Sequence, residues 1–125
     1  MKTSLLIVAS LSGASLTACS FAARSPEMYR DDVRAALETK SADVRACYDG
    51  VLRSSPGAGG KVTVNFDVET ETGKVSNVRV DKGNTTAPDA VGECVTKNIV
   101  GVAIKPPDER KGEGTWTYEF AAPKT

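Results

Sequence analysis

The period of the apolar residues changes along this chain, and those changes limit what it can fold into. Val44, Cys47, Tyr48, Val51 and Leu52 recur at i, i+3, i+4, i+7 and i+8, one face of an amphipathic helix. Val62, Val64, Phe66 and Val68 then alternate with Thr63, Asn65, Asp67 and Glu69, the pattern of a half-buried strand. Val78 and Val80 alternate with Asn77 and Arg79 as a second strand. Glu71-Thr72-Gly73-Lys74 lies between the two, a turn with glycine where a positive φ is needed. The pair therefore reads as an antiparallel hairpin. Helical spacing returns at Val91, Cys94, Val95, Ile99 and Val102, after a start near Thr86 or Ala87. Alternation returns at Trp116, Tyr118 and Phe120, in a last strand from Thr115 to Ala121 whose aromatic face points into the core.

Upstream, Ser25-Pro26-Glu27 has the form of a helix start, with Ser as N-cap, Pro at the first helical position and an acid in the first turn. Val33, Ala36 and Leu37 continue an apolar stripe, and Ser41-Ala42-Asp43 either recaps that helix or breaks it slightly. The predicted order is α-β-β-α-β in an α+β fold. A small antiparallel three-stranded sheet with two helices on one face is the simplest arrangement that hides both stripes.

The N-terminus carries a targeting pattern. Lys2 gives a positive start, Leu5 to Ala9 an apolar core, and Leu16-Thr17-Ala18-Cys19 ends the segment with small residues and a cysteine. That order is a secretory leader, too short and too rich in Ser and Gly for a spanning helix. The Leu-x-Ala-Cys ending resembles a bacterial lipobox, in which cleavage precedes the cysteine and the cysteine is acylated; an ordinary leader cut near Ala18 or Ala23 is the alternative. The expected organisation is a signal peptide over 1–18, a tether over 19–25 and a single domain over 26–125. Cys19 is the expected lipidation site, and Ser20 after it favours the outer membrane, facing the periplasm.

Composition narrows the chemistry. Lys and Arg number 16, as do Asp and Glu, so the chain lacks the positive excess a nucleic-acid binder uses against phosphate, and membrane attachment falls to the lipid on Cys19. There is no histidine, which removes the commonest general base, the commonest zinc ligand and any Ser-His or Cys-His pair. No catalytic residue, metal or cofactor is expected. With Cys19 given to lipid, Cys47 and Cys94 remain, and export favours a disulfide between them. Such a bond would contribute about 4 kcal/mol by the chain-entropy relation. Two buried free thiols are the alternative, and a redox pair is disfavoured because both lie mid-helix on apolar faces.

Two other patterns weigh less. Gly57-Ala58-Gly59-Gly60-Lys61 looks like a phosphate loop, but Ser55 and Val62 break the pattern and a strand follows it rather than a helix. Asp67, Glu69 and Glu71 share the outward face of the first strand; paired carboxylates can do acid–base work in a pocket, but alternation predicts a solvated face here, and Asp31-Asp32 and Asp108-Glu109 likewise read as surface charge.

Three stretches resemble a known module. Cys47-Tyr48 on a helix, Gly60-Lys61-Val62-Thr63-Val64-Asn65-Phe66-Asp67-Val68, and Gly73-Lys74-Val75 are similar to the AgmX/PglI C-terminal domain, a TonB-C-like module. Cys94-Val95, Lys105-Pro106-Pro107 and the closing Trp116-Thr117-Tyr118-Glu119-Phe120 fit its second half, so the resemblance runs from about Asp43 to Phe120. Ile104-Lys105-Pro106-Pro107 stands in place of the usual aromatic-Pro-x-Pro. The resemblance implies an exported envelope module without catalytic activity. The expected function is therefore a lipid-anchored protein-interaction or structural module, with an envelope protein as partner added to an exposed sheet edge. The last strand, through Thr115, Thr117 and Glu119, or the first, Lys61 to Glu69, would offer that edge. A small periplasmic ligand-binding protein or enzyme using surface carboxylates is the alternative.

Overall fold

The computed structural model describes residues 23–124; the leader and Cys19 lie outside the described residues. Helix α1 spans Pro26–Glu38, α2 Ser41–Ser54, strand β1 Gly60–Val68, β2 Val75–Val80, α3 Asp89–Ile99 and β3 Gly112–Phe120. The expected α-β-β-α-β order holds, with the first helical region divided in two. Ser25 caps α1, its side chain accepting from the Met28 N–H, and Pro26 occupies the first turn. The helix tightens at its end, where the Thr39 and Lys40 N–H groups donate to Ala36 and Leu37. It restarts at Ser41 with no side-chain cap.

The sheet order is β2-β1-β3, antiparallel throughout. Val62, Val64, Phe66 and Val68 on β1 join one core with Val33 and Leu37 of α1, Val44 and Tyr48 of α2, and Val91, Val95 and Ile99 of α3. All three helical stripes thus close on one sheet face. Trp116, Tyr118 and Phe120 share the helix face, as their alternation predicts, but pack half-buried at the margin of the core rather than within it. Cys47 and Cys94 are disulfide-bonded, with Cα atoms 5.6 Å apart, so the bond joins α2 to α3. Tyr48 fixes the loop that follows α2 by donating its hydroxyl to the Ala58 carbonyl.

The turn at Gly73 has φ 68°, and a Cβ there would strike the Ile104 carbonyl oxygen. That close approach arises because residues 101–104 run back along the start of β2: Val75 N–H donates to Val102, Gly101 N–H to Val75, and Ile104 N–H to Gly73.

Four local expectations are corrected. β3 begins at Gly112, three residues before the predicted Thr115. β1 is the central strand, hydrogen-bonded on both sides, and has no edge to offer. Asp108, expected on the surface, is 1 % exposed. Asp67, expected to be solvated, is 8 % exposed and held by its neighbours.

Candidate interaction edge and its flanking trench

The two outer strands differ in what they present. β2 carries a register shift opposite Asn65–Asp67, with Asn77 at φ 49°, and residues 101–104 cover its start. A bulged, partly covered edge is a poor template for another strand. β3 pairs with β1 in unbroken register from Gly112↔Val68 to Phe120↔Gly60.

The direction of the β3 main chain follows from β1. Lys61 and Thr63 turn their main-chain groups away from β3: their carbonyls accept from Thr86, Ala87 and Asp81, and their N–H groups donate to the Thr86 and Thr85 hydroxyls. Alternation then aims Val62, Val64 and Phe66 at β3, where they meet Tyr118, Trp116 and Gly114. Thr115, Thr117 and Glu119, with Glu113, consequently direct their N–H and C=O groups outward, away from the sheet. Side chains approach more closely in such non-hydrogen-bonded pairs. Accordingly, the Thr117 and Thr63 hydroxyls lie 2.9 Å apart, and the Thr115 hydroxyl donates to Asn65 Oδ1 at 2.8 Å. The sequence-predicted residues Thr115, Thr117 and Glu119 are thus exposed, with outward main-chain groups and side chains on the face away from the helices.

On the helix face, the N-terminal half of β3 carries almost no side chain of its own. A Cβ on Gly112 would collide with the Tyr29 ring, and one on Gly114 with the Phe66 ring. The two rings occupy those places, so aromatic surface from α1 and β1 reaches the margin of the edge strand. A trench of about 510 Å³ runs between α1 and β3 over this surface. Tyr29, Val33, Phe66 and Trp116 line it, with Arg30, Arg110 and Lys111 on its rim. Arg34 lies 5.3 Å from the centre of the Trp116 ring. Sequence reasoning missed this trench. The available signal was that Gly112 and Gly114 share the parity of Trp116.

A buried ionic clasp closes one end. Arg24 is 5 % exposed; its N–H donates to Asp108 Oδ2 at 2.9 Å, and its guanidinium reaches Asp32, the Pro106 carbonyl and Asp108. Arg110 donates from its backbone to Asp108 Oδ1 and from its side chain to the Arg24 carbonyl. Burial alone would push the Asp108 carboxyl up, but the N–H groups of Arg24 and Arg110 and the Arg110 guanidinium outweigh it, and the carboxyl sits below its ordinary value. Asp67 is also held low, chiefly by the Asn77 side-chain amide, with help from Lys111 and Arg79. Glu69, its neighbour on that face, is exposed. Burial pushes the Tyr118 phenol up to about 12, and its hydroxyl has no hydrogen-bond partner among the described residues. Asp67 is engaged by Asn77 and Lys111, and Glu69 accepts from the Ser76 hydroxyl. Among the described residues, no cluster of three or more His, Cys, Asp or Glu is placed to hold a metal, and no helix is long and apolar enough to cross a membrane.

The fold is of the TonB C-terminal type. It is similar to the solution structure of the Helicobacter pylori TonB C-terminal domain, residues 179–285, with a TM-score of 0.59 and 16 % identity over 81 % of this chain and 87 % of that one. No protein-family model matches the chain, and no curated protein sequence does either.

Proposed function

We propose that this chain is a lipid-anchored, non-enzymatic interaction module of the bacterial cell envelope, of the AgmX/PglI C-terminal type, which takes up a strand of a partner protein along β3. The carrying observation is the β3 edge: nine residues in unbroken register, with the outward main-chain groups of Glu113, Thr115, Thr117 and Glu119 unpartnered among the described residues. An added strand would satisfy those groups, and main-chain hydrogen bonds would supply its affinity. The lipobox at Leu16-Thr17-Ala18-Cys19 supports anchoring through Cys19, and Ser20 supports an outer-membrane position facing the periplasm. The resemblance to the TonB fold supports the envelope setting.

Thr117→Pro tests the edge. Proline there removes one outward donor and leaves the ladder to β1 intact, and Thr63 keeps its bond to the Asn84 carbonyl. A protein cross-linked to the wild-type chain in the native envelope is expected to be lost with Thr117→Pro, with the fold unchanged by circular dichroism. Equal cross-linking by both would reject the edge. Intact mass from the native host tests the anchor: the expected species begins at Cys19 and carries acyl mass, and an unacylated start rejects lipidation.

A further inference from the structure

We propose that the trench between α1 and β3 is the side-chain pocket of the strand seated on β3. It selects an extended segment that places a large apolar side chain and a carboxylate two residues apart. This rests on the reading of β3 as the partner edge.

The geometry leads there directly. A strand paired with the outward groups of Glu113, Thr115 and Thr117 lies in the plane of the sheet, one strand spacing beyond β3. Every second side chain of that strand then points to the helix side. At Gly112 and Gly114, β3 contributes no side chain to that side, so nothing from β3 stands between the incoming strand and the rings of Tyr29 and Phe66. The trench volume of about 510 Å³ falls within the range that holds small ligands and accommodates a large side chain with room for a second. Its floor is aromatic and aliphatic, which favours an apolar occupant.

The rim supplies the second requirement. Arg110 is engaged by Asp108 and Lys111 by Asp67, whereas Arg30 makes no ion pair among the described residues. Glu113, the acid beside the trench, has the strand parity of Asp67 and so directs its side chain to the opposite face. A carboxylate on the incoming strand would meet a free guanidinium, and a lysine there would meet like charge. Successive same-side positions on a strand are two residues apart, which sets the spacing.

The test uses the full ¹⁵N-labelled chain in detergent and three capped threonine-rich peptides. One carries a phenylalanine and, two residues on, a glutamate. The others replace the glutamate with lysine or the phenylalanine with serine. The expected result is movement of the Glu113, Thr115 and Thr117 amides and the Trp116 indole signal with the first peptide. The two control peptides are expected to bind on the order of tenfold more weakly. Arg30→Glu, an exposed substitution on α1, is expected to invert the preference between glutamate and lysine. If all three peptides move the β3 amides equally, the trench is overturned and strand addition stands. If none does, both are overturned. A glutamate preference that survives Arg30→Glu overturns the role of Arg30. Concentration-dependent movement of the same amides without peptide would identify a second copy as the occupant and overturn the assignment.

Discussion

Replacing Cys47 and Cys94 together by alanine tests how much of this small domain depends on its covalent link between α2 and α3. The two cysteines are 47 residues apart, and the chain between them contains the whole β1–β2 hairpin. Closing a loop of that length removes about 4 kcal/mol of chain entropy from the unfolded state at room temperature. A domain of this size has a net stability of only about 5–10 kcal/mol, so the bond accounts for a large part of it. The α2–α3 contact does not vanish without it, because Val44 and Tyr48 still share a core with Val91 and Val95. The variant is therefore expected to fold, with a urea midpoint lowered by about 3 M for a slope near 1.3 kcal/mol per M. Urea titration of the oxidised wild type and the variant, followed by far-UV circular dichroism and by Trp116 fluorescence, reads the difference. A loss below about 1 kcal/mol would refute the entropic account. It would mean that the packing of α2 on α3 already restrains the unfolded chain. A variant that does not fold would place the α2–α3 contact wholly on the covalent bond.

Two further outcomes follow from the packing. Asp108→Asn preserves volume but turns an amide donor toward one of the two backbone N–H groups, of Arg24 and Arg110, that the carboxylate accepts from, and is expected to cost about 2 kcal/mol, measured by the urea midpoint at neutral pH. The Asp108 carboxyl is held below its ordinary value, so its contribution is complete above about pH 4 and is lost as pH falls through the lowered value. The acid limb of stability against pH is therefore expected to be shallower in Asp108→Asn, with the Asp67 contribution remaining in the same window. Gly73→Ala places a Cβ at φ 68° against the Ile104 carbonyl, and a loss of about 2 kcal/mol by thermal unfolding is expected. A neutral effect would mean that residues 101–104 do not hold the turn.

The elements legible in the sequence are those whose evidence is local. Ser25-Pro26 marks a helix start because the cap and the proline act within one turn, and the structure places α1 there. Val62 to Val68 alternate because one face of β1 is buried under helices, and that periodicity survives any arrangement of the neighbours. Gly73 is readable because a tight turn needs its φ whatever surrounds it. The Arg24–Asp108 clasp has no such local mark. Its partners are 84 residues apart, and each taken alone is a charged residue in a polar stretch. Charge in a loop ordinarily means solvent. Only the convergence of Pro106, Arg110 and Asp32 around the pair makes burial tolerable, and that convergence is a product of the fold.

The start of β3 was hidden for a more particular reason, which also bears on function. Strand recognition relies on alternating side chains, and Gly112 and Gly114 have none to alternate. Their positions on the helix face are filled by Tyr29 and Phe66, of which only Phe66 was legible as core in its own element. The sequence pattern therefore breaks where one element lends its side chains to another, and the start of a half-exposed edge strand carries no strand pattern. The same exchange leaves the N-terminal half of β3 without side chains on that face and brings aromatic surface to its margin. Bulkier residues at these two positions would have made the strand obvious and closed the trench. The difficulty in reading Gly112-Glu113-Gly114 and the capacity of β3 to accept a neighbour with large side chains thus have one physical origin.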